Sequence, residues 1–146
     1  MHVRKAGILD ISSLILLLAE MHKNVKLSIP KINSELLVDK ISQAIHKGVV
    51  FVVLDDKNII KGSIGGMIGS DWWSEDKYLA DLWFYVTPDY RKSNAASELV
   101  KNFMKVAKDS KIPVRLGHVF SGDIDRKDNF FSKLGLVKAG SIFVEV

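Results

Sequence analysis

The sequence of 146 residues contains no cysteine and only three prolines. The absence of cysteine excludes a disulfide framework, a thiolate-ligated metal site and catalysis by a cysteine nucleophile. No apolar run approaches the ~20 residues that a membrane-spanning helix needs, and no long stretch lacks apolar residues, as a disordered region would. Because 47% of the residues are hydrophobic and 26% are charged, the composition is that of a globular protein. The length predicts one domain over residues 1–146.

Charge of neither sign dominates the chain. There are 21 lysines and arginines against 17 aspartates and glutamates, a net charge of +4, and the basic residues are scattered. This balance suits an anionic small ligand, but it does not predict a nucleic-acid partner. A basic start at Arg4 before an apolar run at 14–19 is faintly similar to a signal peptide, yet Asp10 interrupts it and no good cleavage site follows. The sequence therefore predicts a soluble, cytoplasmic protein.

The first part of the chain predicts a strand, two helices and a second strand. Asp10 is expected to cap the first helix, because apolar residues follow it at helical spacing up to Met21. The second helix is expected to stop at Gly48, and the β-branched and aromatic run after it is typical of a buried strand. The predicted bounds are 2–4 and 49–54 for the strands and 34–47 for the second helix.

The rest of the chain predicts strands and helices in alternation. The predicted strands are 59–69, 78–86, 112–120 and one or two within 136–146; the predicted helices are 93–108 and a short one capped by Asp125 and ended by Gly135. Four glycines, at positions 62, 65, 66 and 69, precede no helix, so they indicate close packing or a bulge rather than a nucleotide-binding fingerprint. The order β-α-α-β-β-β-α-β-α-β(β) predicts an α/β fold, with a mixed sheet and helices on both of its faces.

The most informative segment joins the strand ending at Val86 to the helix that follows. Pro88 closes the strand, and Arg91, Lys92 and Ser93 form a short basic turn immediately before the helix. Such a turn presents free N–H groups at the positive end of a helix dipole, which suits a phosphate or pyrophosphate. The spacing by itself is also compatible with a polar helix start at the surface.

At this segment the chain resembles the GNAT superfamily of N-acetyltransferases. The family's acetyl-CoA signature ends in Arg/Gln-x-x-Gly-x-Gly/Ala, to which Arg91-Lys92-Ser93-Asn94-Ala95-Ala96 is similar. Residues 3–11 look like the family's usual start, residues 60–62 carry a glycine where its third strand often has one, and residues 129–136 resemble its Phe-Tyr-x-x-Gly-Phe close. The turn is most similar in shape to that of small phage and prophage members.

The resemblance implies a V-splayed sheet and transfer of an acetyl group from acetyl-CoA to a primary amine by direct attack, without a metal. The pyrophosphate of CoA would lie on the amides of Arg91, Lys92, Ser93, Asn94, Ala95 and Ala96. The pantetheine arm would run as an extra strand along Phe84, Tyr85 and Val86, with the fifth strand on its other side. An N–H near these three residues would polarise the thioester carbonyl, and Phe131 would face the sulfur of CoA.

Two positions depart from the family pattern. Asn94 replaces a glycine, although asparagine enters the left-handed region at modest cost. Phe131 stands where the family usually has a tyrosine that protonates the leaving thiolate; Tyr85, Ser121 and Ser132 are other possible donors. These departures leave a second interpretation open, a catalytically weak or inactive relative that binds CoA or a protein partner.

The amine also needs a general base. Asp81 is near the position where many family members carry a glutamate, but it is one residue off, so that only a bulge would bring it to the right face. Glu75 and Asp76, in the loop before this strand, are the alternatives. Together with Asp71, these carboxylates favour a cationic acceptor.

Three further features allow a structural and a functional reading. Trp72 and Trp73 could line an acceptor pocket, or one could be a core residue and the other a contact in a homodimer. The four histidines show no ligand spacing, so no metal site is predicted. One of them, His118, lies on the predicted fifth strand. It could act as a proton acceptor, but a structural role is favoured.

Overall fold

The computed structural model describes residues 1–118 and 122–145 and shows an α/β fold. Its elements, in chain order, are β1 His2–Lys5, α1 Ile11–Lys23, α2 Ser34–Lys47, β2 Val49–Leu54, β3 Ile60–Ser70, β4 Lys77–Val86, α3 Ala95–Asp109, β5 Val114–Arg115 and α4 Ile124–Lys133. The strands form one sheet in the order β1-β2-β3-β4-β5. The first four are antiparallel to their neighbours and β5 is parallel to β4, so the predicted mixed sheet is confirmed.

Helices cover both faces of this sheet. On one face α3 contributes Leu99, Val100 and Phe103, which are fully buried. On the other face α1 and α2 contribute Leu14 and Ile41, also fully buried. Because successive side chains of a strand point to opposite faces, every residue of β2 is buried against one helical layer or the other. This explains its continuous apolar run.

The prediction that Asp10 caps α1 is wrong. A short 3-10 turn, Ile8–Asp10, comes first, and the Asp10 side chain makes no hydrogen bond to the helix start. Instead its carboxylate accepts hydrogen bonds from the Arg4 guanidinium, at 2.8 and 3.0 Å, and from the Gly7 N–H, at 2.8 Å. These contacts, above all the Arg4 hydrogen bond, hold the pKa of Asp10 below its ordinary value. The residue ties β1 to the loop before α1.

The last part of the chain also differs from the prediction. The fifth strand is only Val114–Arg115, not 112–120, of which residues 119 and 120 lie outside the described part. The predicted strands within 136–146 do not form in the residues described there, up to 145. A strand needs a hydrogen-bonded neighbour, and a two-residue β5 offers almost no edge to pair with. The N-cap of α4 is Asp123, not Asp125, and its carboxylate accepts from the Arg126 N–H at 3.4 Å.

Candidate active site

The sheet opens between β4 and β5. The two strands pair only through Leu79 with Val114 and Ala80 with Arg115, and no described residue pairs with this edge of β4 beyond Ala80. At the same place β4 has a bulge: its neighbour β3 pairs Gly66 with Asp81 but Gly65 with Trp83, so an extra residue is accommodated in β4. Since a bulge bends and twists its strand, it lies where the cleft begins. Residues 81–86 of β4 form one wall of that cleft.

The glycines of β3 make this bulge possible. The indole of Trp83 packs directly on Gly65, so a side chain there would overlap the ring. Trp83 is fixed by a buried chain of hydrogen bonds, in which its Nε1–H donates to Ser63 Oγ at 2.9 Å and that hydroxyl donates to the Phe51 carbonyl at 2.8 Å. The interpretation as markers of close packing or a bulge is confirmed for Gly62, Gly65 and Gly66, where an added Cβ would lie 3.0 Å or less from a neighbouring atom, but not for Gly69, whose nearest neighbours would lie at 3.8 Å.

Asp81 lies at the apex of the cleft. Its Oδ1 accepts a hydrogen bond at 3.1 Å from the N–H of Gly117, which follows β5, so the carboxylate bridges the two strands where they separate. Burial raises the pKa of Asp81 to about 6, and the Gly117 hydrogen bond and nearby His118 oppose that rise. A carboxyl group in this state is ionised at neutral pH yet more basic than an exposed aspartate. The bulge that this position required is present.

The basic turn lies at the other end of the same wall. After a 3-10 turn, Pro88–Tyr90, the Ser93 hydroxyl accepts from the Ala95 N–H at 3.1 Å. The N–H groups of Lys92, Asn94 and Ala96 donate to no residue in the described part of the chain. The sequence predicted donors at all six positions 91–96, but the N–H groups of Arg91, Ser93 and Ala95 are engaged within the turn, which leaves these three to donate to an anion.

Asn94 does not need the conformational freedom of glycine. Its φ is −84° and its ψ is 11°, values that any L residue adopts without strain. The tolerance of asparagine for the left-handed region, noted from the sequence, is therefore not used at this position. The replacement of the family's glycine therefore puts no conformational strain on the turn.

Two cations stand beside the turn. The Nε of Arg91 donates to the Val86 carbonyl at 3.0 Å, and its guanidinium lies over the Tyr85 ring, 5.4 Å from the centroid. Lys127 of α4 is half-buried, and burial, followed by the charge of Arg91, lowers its pKa. A bound anion would relieve this repulsion. Sequence reasoning missed Lys127, because nothing in the pattern distinguishes it from the other lysines of the chain.

The aromatic residues of the wall point to different faces. The ring of Phe84 lies 6.1 Å from that of Phe130 and 6.2 Å from that of Phe131, so Phe84 meets α4 across the cleft. The next side chain, Tyr85, is buried on the α1 and α2 face, where its hydroxyl accepts from Asn24 Nδ2 at 3.1 Å. The structure thus brings Phe84 and Phe131 together and places the Tyr85 hydroxyl elsewhere. Ser132, the next residue on α4, is exposed, and Ser121 lies outside the described residues.

His118 stands against Phe131 at the cleft. The two rings are almost parallel, at 8°, with centroids 5.8 Å apart. The imidazole Nε2 lies 2.8 Å from Asp128 Oδ1, and Asp128 Oδ2 accepts from Lys138 at 3.0 Å. The sequence analysis favoured a structural role for His118 and did not identify Asp128 as its partner, because no motif marks the pair.

The loop between β3 and β4 holds the other predicted carboxylates. Asp71 is paired with the guanidinium of Arg115, with Nη1 at 2.7 Å from Oδ1, and this hydrogen bond lowers the pKa of Asp71. Glu75 is exposed and has no hydrogen-bond partner among the described residues. Trp72 and Trp73 meet edge to face, with centroids 5.4 Å apart, and both are exposed, so neither is a core residue. The structure does not bring Glu75 together with Asp81.

The comparisons with known proteins agree with this architecture. The model of the Acetyltransferase (GNAT) family matches residues 19–136, and the chain therefore belongs to the GNAT acetyltransferase family. No curated protein matches the sequence significantly. Among the described residues, no helix is long and apolar enough to cross a membrane, and no group of three or more acidic residues and histidines could hold a metal ion.

Solved structures show the same fold at low sequence identity. An acetyltransferase of Trypanosoma brucei is 18% identical, with 99% of each chain covered and a TM-score of 0.72. Glucosamine-6-phosphate N-acetyltransferase of Arabidopsis thaliana is 17% identical, with 99% of this chain and 97% of that one covered and a TM-score of 0.73. AAC(6')-Iy in complex with a CoA bisubstrate analogue is 11% identical, with 99% and 96% covered and a TM-score of 0.74. At these identities the likeness establishes the fold alone.

Proposed function

We propose that this protein transfers the acetyl group of acetyl-CoA to a primary amine by direct attack of the amine. One observation carries the proposal. A partly buried carboxyl group with a pKa of about 6 lies at one end of a strand edge, and a turn with three N–H donors lies at the other end. Within residues 1–118 and 122–145, neither these donors nor the edge between them has a backbone partner. An elongated anionic thioester and a base for its acceptor are what such a cleft accommodates.

The turn fits the pyrophosphate of CoA. Donors at Lys92, Asn94 and Ala96 have no partner in the described residues, and the charges of Arg91 and Lys127 favour an anion beside them. On the β5 side, the edge of β4 at residues 84–86 pairs with no strand in the described part of the chain, and it would hold the pantetheine arm, with Phe131 on the opposite side. Acetyl-CoA supplies an acetyl group activated as a thioester. An N–H of residues 84–86 would polarise the carbonyl oxygen.

Asp81 would take the proton that the amine must lose. A primary amine arrives mostly as its ammonium form at neutral pH, which has no lone pair for attack. Because Oδ1 accepts from the Gly117 N–H at 3.1 Å, the other carboxylate oxygen would accept the proton. A base with a pKa of about 6 is ionised at neutral pH and still accepts a proton readily.

The acceptor would be a cationic amine, of a small molecule or of a protein. Glu75 and Asp76 stand exposed in the loop before β4, beside the exposed pair Trp72 and Trp73. Carboxylates and indole rings attract ammonium groups. Asp71 takes no part, since its charge is matched by Arg115.

A second candidate function follows from Phe131. With no phenol at this position, the leaving thiolate lacks the family's usual proton donor, which would leave a protein that binds CoA and transfers acetyl groups slowly or not at all. A thiol has a pKa of about 8.5 and leaves tolerably as the thiolate, so this loss alone does not exclude turnover.

Titration calorimetry with acetyl-CoA and with CoA, followed by turnover on a panel of amines, tests the proposal. We expect both nucleotides to bind and at least one cationic amine to be acetylated. Asp81→Asn should lower kcat/KM about 10²-fold or more with CoA affinity unchanged. Asp109→Asn, the same change at an exposed position of α3, should leave both unchanged. Binding without turnover on any amine supports the second candidate, and no binding refutes both.

A further inference from the structure

His118 occupies the space next to the ring that replaces the family's phenol. Its imidazole lies almost parallel to the Phe131 ring, at 8°, and is offset from it, with the centroids 5.8 Å apart. The imidazole is thus on the α4 side of the cleft, where the sulfur of CoA would lie if the proposed function holds. A side chain that can carry a proton therefore lies next to Phe131, the position where the family's proton-donating tyrosine is replaced.

The partners of His118 fix its tautomer. The ionised carboxylate of Asp128 can only accept, so the Nε2 at 2.8 Å from its Oδ1 carries the hydrogen. The Lys138 ammonium, at 3.0 Å from Oδ2, holds the carboxylate in place. Both hydrogen bonds lower the pKa of Asp128, and the bond with His118 has the larger effect. The other ring nitrogen, Nδ1, is buried and has no partner among residues 1–118 and 122–145. It is the basic atom of the dyad.

We propose that His118, oriented by Asp128, carries the proton that the CoA sulfur receives as it leaves, in place of the phenol that Phe131 lacks. On this view His118 is a catalytic residue of the acetyl transfer, and Asp128 is a positioning residue that acts through it. The inference rests on the proposed function and adds to it the proton donor that the sequence pattern leaves open.

The step balances as follows. The neutral amine forms the C–N bond to the acetyl carbon, and the C–S bond breaks with its electron pair remaining on the sulfur. The nitrogen still carries one proton too many, which passes to Nδ1 of His118 and from there to the sulfur. The products are an amide and a thiol, and His118 returns to its neutral form. The earlier proton, lost by the ammonium, is the one assigned to Asp81.

The charges around His118 are compatible with this cycle. Asp128 from α4 faces it directly, and Asp81 from β4 is near enough for the two groups to influence each other. Lys138, from the segment after α4, reaches it only through Asp128. Once Asp81 has taken the ammonium proton it is neutral, so the Asp128 carboxylate, 2.8 Å from Nε2, is the negative charge that faces the imidazolium as it forms.

Ionisation of bound CoA tests the inference without turnover. The thiolate absorbs in the ultraviolet, so a pH titration of the CoA complex reports the pKa of the bound thiol. An imidazolium beside the sulfur should lower that value, and His118→Gln should raise it by roughly one pH unit or more. His46→Gln, on the outer side of α2, is the control and should change nothing. Bound CoA with the same thiol titration in parent and His118→Gln overturns the inference and leaves the proposed function intact. Failure of the parent to bind CoA overturns both.

Kinetics provide the second arm. His118→Gln should lower kcat about 10²-fold, and adding Phe131→Tyr to it should restore at least tenfold, since the phenol then supplies the proton. Phe131→Tyr alone should stay within a few-fold of the parent. Asp128→Asn should shift the pH profile of kcat, which a merely structural contact would not do. A His118→Gln enzyme that keeps full activity, or one that tyrosine does not rescue, contradicts the role. If His118→Gln fails to fold, Asp128→Asn is titrated with CoA in its place.

Discussion

Replacing Asp81 by asparagine should make the protein more stable and less active. In the folded state burial raises the pKa of this carboxyl from 3.8 to about 6, which means that ionising it costs the fold free energy. A rise of about two pH units corresponds to at most about 3 kcal/mol at full ionisation. Asparagine is nearly isosteric and can still accept the Gly117 hydrogen bond, but it carries no charge.

The effect has a definite pH dependence. The folded protein holds the Asp81 proton more tightly than the unfolded chain, so the parent loses stability as the pH rises from about 4 to about 6 and changes little above about 7. The Asp81→Asn variant should lack this loss. Its advantage in the free energy of unfolding should therefore be largest, about 2–3 kcal/mol, near pH 8, and should shrink toward zero near pH 4.

Urea denaturation of parent and variant at several pH values between about 4 and 8 measures this difference. In the parent, kcat/KM should rise with pH through an ionisation near pH 6, the limb assigned to the base. A variant less stable than the parent at pH 8 would refute the reasoning, because the ionised carboxylate would then support the fold through Gly117 instead of being held there at a cost.

Three other changes test the remaining parts of the structure. Ala96→Glu should weaken CoA binding at least tenfold in a folded protein, since its carboxylate would lie beside the pyrophosphate. Ser12→Glu adds the same charge on α1 and should not weaken binding. Equal calorimetric affinities of the parent and Ala96→Glu would place the ligand elsewhere. Phe103→Ala should cost about 3–5 kcal/mol in urea unfolding, because the ring is fully buried between α3 and the sheet, and a loss under 1 kcal/mol would contradict the packing described. Asp10→Asn should destabilise the protein by about 1 kcal/mol at pH 7, a small value because solvent screens the partly exposed Arg4–Asp10 pair. This destabilisation should vanish once the pH falls below the lowered pKa of Asp10. A destabilisation that persists in acid would assign the effect to packing.

Local patterns in the sequence determined most of the scaffold. The bounds of α2 and β2 match the predictions at 34–47 and 49–54, because amphipathic spacing, a glycine stop and a buried apolar run are signals that neighbouring residues carry by themselves. The basic turn before α3 was predicted for the same reason, since the end of a strand, Pro88 and the start of a helix lie together in the chain. Asp10 shows where a local signal fails. Its position predicted a helix cap, but its side chain bonds to Arg4 instead.

The chemistry of the cleft depended on contacts between residues far apart in sequence. Asp81 reaches its place because a bulge shifts β4 by one residue against the glycines of β3. The sequence of one strand does not determine its pairing register, which depends on both strands. The same register sends Tyr85 to the helical face away from Phe131. His118 gains its partner because α4 brings Asp128 next to the segment that follows β5. The sequence by itself thus determined the helices, the first four strands, their order and the basic turn before α3. Burial, register and the meeting of β4 and the segment around His118 with α4 decided which side chains share the cleft and how their surroundings shift a pKa, because desolvation and orientation arise only when distant segments pack together.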